Sequence, residues 1–168
     1  MKTIPQNSRP VLTQTENNTT LWVGHLKHGN NDHVAGQTFT CPSEGILNNI
    51  QIYSAVVTRP GDLLLTLHEF DNETRTWGPA IGQSTINMEL GEKPNWIRFE
   101  LNPVALKQNV AYGFRLQAPE ALVGIGESVH ESSRPFNFGM AWNGNNQKSV
   151  QGEYFNYFSL AFKVELCA

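Results

Sequence analysis

Charged side chains are scarce in this chain. Lys, Arg, Asp and Glu make up 16% of its 168 residues, against about 25% in an average soluble domain. The formal net charge is -3, and no cluster of Lys and Arg stands out. Binding to a phosphate backbone needs several basic side chains on one face, so we expect no nucleic-acid partner. Asn, Gln, Ser, Thr and Gly replace the missing charges, a composition typical of extracellular β-proteins and sugar-contacting surfaces.

Long apolar runs are also missing. No segment reaches the length of a membrane-spanning helix, so we expect no membrane insertion. The first twenty residues contain one Lys but lack the apolar region that a signal peptide requires. Two locations therefore stay open: the protein is intracellular, or it is extracellular or at the cell surface after removal of a signal peptide.

Cysteine occurs only twice, at Cys41 and Cys167. These residues lie near the first and last predicted core strands, where a disulfide is geometrically conceivable. Cys41 is in phase with Phe39, whereas Cys167 is out of phase with Leu166. Because disulfide geometry is strict, the sequence favours two thiols that are not joined.

Recognisable catalytic motifs are absent from the sequence. There is no G-x-S-x-G elbow, and the tract of His25, His28, Asp32 and His33 lacks the H-x-H pairing of a cupin site. The acidic segment 71–74 lacks the spaced ligands of an EF-hand, although structural calcium there stays an alternative. We therefore predict a protein that is not an enzyme and needs no cofactor. A glycan-active enzyme with two loop carboxylates is the less favoured alternative.

Short alternating strands are what the sequence does contain. From Ala35 to Leu166, apolar and polar residues alternate at period two, and turn-forming Gly, Asn, Asp and Pro separate the segments. The pattern predicts an all-β, antiparallel jelly-roll β-sandwich of two packed sheets with about eight to ten strands. Residues 1–20 are predicted to form a flexible arm and residues 21–168 a single domain. The predicted core consists of Phe39, Ile50, Ile52, Leu65, Leu67, Ile97, Phe99, Phe114, Phe162 and Val164.

Six segments in order carry a family resemblance: AGQTFT, LNNIQIY, GDLLLTLHEFD, WGPAIGQSTI, WIRFELNPVALKQNVAYGFRLQ and YFSLAFKVEL. Together they resemble the jelly-roll domains of bacterial surface and secreted proteins, which often precede a C-terminal anchoring segment. The resemblance covers about residues 35–166 and concerns strand residues. It implies a sandwich similar to carbohydrate-binding modules, including the galactose-binding-like kind, with no uniform activity. This chain departs from the pattern in lacking a signal peptide and an anchor after Ala168.

Aromatic side chains beside amides provide the strongest functional signal. Sugars stack their C–H faces on aromatic rings and pair their hydroxyls with polar side chains. Trp96 falls on the polar face of its strand, whereas Trp142 is equally compatible with the core and with a site. Trp22 is interpreted as a packing residue. The predicted ligand-binding residues are Trp77, Trp96, Arg98, Trp142, Asn143, Asn145, Asn146, Tyr154 and Tyr157.

The sequence thus favours a non-catalytic module that binds carbohydrate through exposed aromatics and Asn-rich loops. The alternative is a structural or protein-assembly module of a surface complex, in which the same aromatics contact another protein. The expected partner is accordingly a glycan or a surface protein, and the oligomeric state is left open.

Overall fold

The computed structural model describes residues 7–25, 32–145 and 152–168. Within these ranges the chain is all-β, and every strand pairing is antiparallel. No helix among these residues could cross a membrane. The fourteen strands are β1 (Ser8–Gln14), β2 (Thr19–His25), β3 (Asp32–Thr40), β4 (Gly45–Arg59), β5 (Gly61–Asp71), β6 (Thr76–Met88), β7 (Asn95–Glu100), β8 (Ala105–Leu106), β9 (Ala111–Gln117), β10 (Leu122–Val129), β11 (Ala141–Asn145), β12 (Glu153–Phe155), β13 (Phe158–Leu160) and β14 (Phe162–Cys167).

The strands follow one continuous path of hydrogen-bonded neighbours. Its order is β1-β14-β4-β10-β2-β3-β9-β5-β6, while β7 and β8 pair with β4, β11 with β3, β12 with β11, and β13 with β10. The strand count exceeds the sequence-based prediction. The extra strands include β8, β12 and β13, which have only two or three residues each. Such short strands are too brief to display an alternating pattern.

Strand structure begins at Ser8, inside the range 1–20 that the sequence predicts to be a flexible arm. β1 pairs with the last strand, β14, and Leu12 lies opposite Val164. β2 begins at Thr19 and lies between β10 and β3 in the sheet path. The polar composition of this segment suggested an arm. However, ladder hydrogen bonds depend on the backbone, so polar strands can also pair.

The core follows the predicted strand parity. All ten predicted core residues are buried. The ring of Phe162 on β14 lies 6.1 Å from that of Phe39 on β3 and 5.7 Å from that of Phe114 on β9. β14 lies several places from β3 and β9 in the sheet path. The sheet therefore brings distant strands together around a common aromatic core.

The structure contains no disulfide bond between Cys41 and Cys167. The buried Cys41 thiol donates to the Ser43 carbonyl at 3.1 Å. Cys167 lies on β14 and accepts a hydrogen bond from Asn48 Nδ2 at 3.7 Å. Each sulfur therefore has its own local contact at a different place in the fold.

One carboxyl group faces the interior. Glu127 shares the strand phase of the core residues Val123 and Ile125 on β10, and its side chain is 4% exposed. Its Oε2 atom has no hydrogen-bond partner among the described residues. Burial penalises the charged carboxylate and raises the pKa of Glu127 to about 7. The protonated acid is therefore the form that the interior favours.

Candidate functional site

The structure divides the predicted binding residues among separate places. Trp77, Trp142 and Tyr154 lie beside Arg115, and we call these four residues the Arg115 cluster. Asn143 and Asn145 line a neighbouring depression, which we call the Asn143 cleft. Trp96, Arg98 and Tyr157 make their described contacts outside both. The last predicted residue, Asn146, lies outside the described residues.

Arg115 lies on the face of β9 opposite the core. Its neighbours Phe114 and Leu116 are fully buried, and strand alternation directs Arg115 to the other side. On that side the guanidinium carbon lies 4.3 Å from the ring centroid of Trp77 and 4.5 Å from that of Trp142. The two indole centroids are themselves 5.5 Å apart. A cation is thus held over two aromatic rings, an arrangement that the electron-rich ring faces favour.

Two glycines make room for these indoles. A Cβ atom at Gly113 would lie 2.5 Å from Cζ3 of Trp77, and one at Gly36 would lie 3.0 Å from Cε3 of Trp142. Gly36 and Gly113 are therefore positions where the rings lie directly on the backbone of β3 and β9. A glycine inside a strand often marks a place where another group approaches the backbone closely, so Gly36 and Gly113 are the sequence signal for this cluster.

Tyr154 closes the cluster from β12. The Trp77 Nε1 atom donates to the Tyr154 hydroxyl at 3.0 Å, and that hydroxyl donates to the Arg75 carbonyl at 3.2 Å. The ring of Phe70 packs 5.2 Å from Trp77 and 5.8 Å from Tyr154. These contacts leave Trp77 and Tyr154 half-buried rather than freely exposed.

Trp142 is not an exposed stacking platform, because its side chain is fully buried. By its strand phase, Trp142 is equally compatible with the core and with a binding site. In the structure it lies on the outer side of β11, opposite Gly36 of β3, and Trp77 covers it. Its Nε1 atom has no hydrogen-bond partner among the described residues.

The Asn143 cleft has a volume of about 540 Å³. Elements distant along the chain contribute to it: β2, the beginning of β3, β11 and the beginning of β12. Its lining mixes one indole with amide, imidazole and carboxylate groups. The lining residues are Leu21, Trp22, His33, Val34, Asn143, Gly144, Asn145, Gly152 and Glu153.

Trp22 is the aromatic side chain of this cleft, contrary to its interpretation as a packing residue. It is 38% exposed and pairs with Gly124 of β10, whereas its neighbour Val23 pairs with Val123 in the core. The alternation of β2 therefore directs the indole outward. The alternating pattern in the sequence begins only at Ala35, so it does not assign Trp22 to a face of a strand.

The cleft and the Arg115 cluster are contiguous through Trp142. A Cβ atom at Gly152 would lie 2.1 Å from Nε1 of Trp142, and one at Gly144 would lie 2.5 Å from its Cη2. Both glycines line the cleft. The same indole therefore contacts the cleft wall and carries Arg115. Beside it, the buried Oδ1 atom of Asn143 has no hydrogen-bond partner among the described residues.

Trp96 belongs to a different surface. It lies on β7 opposite Tyr53 of β4, with ring centroids 5.5 Å apart, and Lys163 Nζ lies 4.1 Å from its ring centroid. Arg98 on the same strand donates to Asn48 Oδ1 at 2.8 Å and lies 3.5 Å from the Glu100 carboxylate. The structure therefore does not bring Trp96 and Trp142 into one groove.

Tyr157 also lies apart from the cluster. Its ring packs 4.8 Å from Phe158 and 6.1 Å from Phe155. These contacts lie in the segment that runs from β12 into β13.

Neither the histidine tract nor the acidic segment forms a ligand cluster within the described ranges. No group of three or more His, Cys, Asp and Glu side chains converges there. His25 Nδ1 lies 2.6 Å from Asp32 Oδ1, and His28 lies outside the described residues. Asp71 Oδ1 accepts hydrogen bonds from the backbone amides of Glu73 and Thr74 at 2.9 and 3.2 Å. The acidic segment therefore has the geometry of an Asx turn.

Comparison with protein-family models gives no match, and comparison with curated proteins gives no significant one. The resemblance to bacterial surface jelly-roll domains accordingly stays a hypothesis. The functional argument rests on the geometry of the cleft and the cluster.

Proposed function

We propose that this protein is a non-catalytic carbohydrate-binding module and that the Asn143 cleft is its sugar site. One observation carries the proposal: the exposed indole of Trp22 lines the same cleft as the amides of Asn143 and Asn145 and the carboxylate of Glu153. A ring face that stacks on sugar C–H groups thus lies beside polar groups that pair with hydroxyls. The cleft volume is within the range of small-molecule sites.

The unpartnered oxygen of Asn143 gives the proposal a specific contact. A buried acceptor without a donor costs about 1–3 kcal/mol. Because Asn143 lines the cleft, we expect its side chain to turn on binding and present Oδ1 to a sugar hydroxyl, whose donated hydrogen bond would remove that cost. Glu153 would accept a second hydroxyl, since a carboxylate only accepts hydrogen bonds. A single stacking ring contributes on the order of 1 kcal/mol, so we expect weak affinity for a monosaccharide and tighter binding of longer glycans.

The proposed fold is a jelly-roll β-sandwich of two packed layers. The antiparallel pairing and the contacts of Phe162 with Phe39 and Phe114, which join strands distant in the sheet path, support this architecture. In this arrangement the outward faces carry Trp22 and Arg115, while the inward faces form the core.

The proposed activity requires neither a cofactor nor a catalytic step. The proposed partner is a glycan, and the proposed location is extracellular or at the cell surface, where such ligands are abundant. The low charge and the abundance of neutral polar residues support this location.

Titration calorimetry against a panel of neutral oligosaccharides tests the proposal. We expect the Trp22→Ala and Asn143→Ala variants to lose about fivefold or more in affinity. Trp96→Ala is the matched control, because it removes an indole outside the cleft and should leave binding unchanged. Thermal unfolding of each variant checks that the fold is retained.

Three outcomes would contradict this function. Binding that is insensitive to both cleft substitutions would place the sugar elsewhere. Turnover of a glycan that one acidic substitution abolishes would identify an enzyme. A stable homo-oligomer that buries Trp22 and binds no glycan would favour the assembly module.

A further inference from the structure

Arg115 is a half-buried cation without a counter-ion. No described residue forms an ion pair with it or accepts a hydrogen bond from its guanidinium, and its Nε atom is buried and unpartnered. Buried charges in proteins are ordinarily paired, because removing an ion from water is costly. By contrast, the exposed Arg98 has both an amide and a carboxylate partner.

The indoles occupy one side of the guanidinium. If Trp77 and Trp142 lay on opposite faces of Arg115, their centroids would be about 9 Å apart rather than the observed 5.5 Å. Both rings therefore lie on the same side, and neither covers the other side. The arrangement holds the guanidinium in a fixed orientation and leaves its hydrogen-bonding capacity unused by the described residues.

No carboxylate in the described part of the chain forms an ion pair with Arg115. Burial lowers the pKa of Arg115, and the nearby Tyr154 phenol is the group whose charge opposes that change. An arginine remains protonated in proteins even so. The burial that disfavours the cation also strengthens its attraction for an anion that enters the site.

We propose that Arg115 binds the carboxylate of a uronic acid in an acidic saccharide. This inference rests on the proposed function, because a neighbouring part of the same saccharide would occupy the Asn143 cleft. The Trp142 indole joins the two places: it carries Arg115 and contacts Gly144 and Gly152 of the cleft wall. Guanidinium matches a planar carboxylate through two parallel hydrogen bonds, which gives such pairs both strength and orientation.

An acidic sugar fits these features better than a polyphosphate. The net charge of -3 and the absence of a basic cluster give no attraction for a chain of phosphates. The features that remain are one unpaired cation, aromatic rings beside it and amides in the adjoining cleft. They match a ligand that has one carboxylate per sugar unit and many hydroxyls.

Calorimetric titration with matched saccharides tests the inference. The probes are a uronic-acid oligosaccharide, the neutral hexose oligosaccharide of the same linkage and length, and a sulfated form of the neutral one. We expect the wild type to bind the uronate about tenfold more tightly than the neutral form at low salt, as charge-assisted hydrogen bonds allow. High salt should reduce this preference.

Substitutions then locate the preference. Arg115→Met keeps an apolar side chain on the indoles and should abolish the uronate preference while retaining neutral-sugar affinity. Arg115→Lys keeps the positive charge and should retain part of the uronate preference. Arg98→Met removes a paired guanidinium outside the site and should retain the whole preference. In NMR spectra, the uronate should shift the indole N–H signals of Trp77 and Trp142 in the wild type, and thermal unfolding verifies each variant's fold.

The outcomes separate this inference from the proposed function. Neutral binding without an acid preference, or a preference that survives Arg115→Met in a folded variant, overturns the role of Arg115 and leaves the cleft intact. Uronate binding that depends on Arg115 but survives Trp22→Ala and Asn143→Ala overturns the cleft instead. Tighter binding of the sulfated form than of the uronate overturns the assignment to a carboxylate. Absence of binding to all three probes overturns both.

Discussion

The indole nitrogen of Trp77 donates a 3.0 Å hydrogen bond to the hydroxyl of Tyr154, which lies 77 residues later in the chain. The contact joins β6 to β12, two strands that do not pair with each other. It also fixes one of the two indoles that carry Arg115. A single side-chain bond within the Arg115 cluster therefore links β6 to the strand that also contributes Glu153 to the cleft.

Removing the Tyr154 hydroxyl should measurably destabilise the protein. In Tyr154→Phe the half-buried Trp77 Nε1 loses its acceptor, so we expect a loss of about 1–2 kcal/mol in the free energy of unfolding. Urea denaturation provides the measurement. Tyr157→Phe is the matched control, because its hydroxyl has no hydrogen bond to a described residue, and it should change stability by less than about 0.5 kcal/mol. Equal losses in the two variants would contradict the role given to this hydrogen bond.

A methyl group at position 113 should displace the Trp77 ring. Gly113→Ala places Cβ 2.5 Å from Cζ3 of Trp77, closer than packed atoms tolerate. We expect a loss of about 1–3 kcal/mol in the free energy of unfolding, typical of overpacking. Denaturant unfolding checks the value, and a change in tryptophan fluorescence should accompany it.

A double-mutant cycle isolates the clash. In a Trp77→Leu background the large ring is gone, so Gly113→Ala should cost at least about 1 kcal/mol less than in the wild type. It could even stabilise that background, because glycine in a strand carries an entropic cost relative to alanine. If the substitution costs the same in both backgrounds, the ring does not explain the glycine.

Glu127 should make stability depend on pH. Its folded pKa of about 7 is raised above the ordinary value of 4.5, so the folded protein holds this proton more tightly than the unfolded chain. The contribution of the protonated acid is complete below about pH 4.5 and is lost as the pH rises through about 7. Glu127→Gln removes that titration and should gain on the order of 3 kcal/mol relative to the wild type between about pH 5 and about pH 8.

The comparison of Glu127→Gln with the wild type at each pH is the informative measurement. Other groups titrate equally in both proteins, so their contributions cancel in the difference. Urea unfolding at the two pH values gives that difference. A difference that stays constant with pH would show that the Glu127 carboxyl is not held protonated by burial.

Strand parity could be predicted from the sequence because it is a local property. Side chains of a strand alternate between its two faces, whatever the strand pairs with. That rule placed Ile97 and Phe99 in the core and Trp96 on the other face, and it separated Phe114 from Arg115 in the same way. The rule can be applied only where a strand is recognised, and the sequence shows no clear strand at Trp22.

Which outward faces meet could not be predicted from alternation alone. Trp96 and Trp142 are both plausible sugar platforms by composition. In the structure, however, one lies beside Tyr53 on β4 and the other lies against Gly36 on β3. The pairing partners of a strand come from long-range registers that a single sequence does not display.

The sequence by itself determined that this protein is built of antiparallel strands and that the ten predicted residues lie in its core, because period-two alternation is a property of each strand's own residues. Only the tertiary structure decided that Arg115 lies on the indoles of Trp77 and Trp142, and that Trp22, Asn143 and Glu153 share one cleft. These neighbours lie on five different strands. Their proximity results from the pairing of distant strands, which depends on the burial of the whole core rather than on any local pattern.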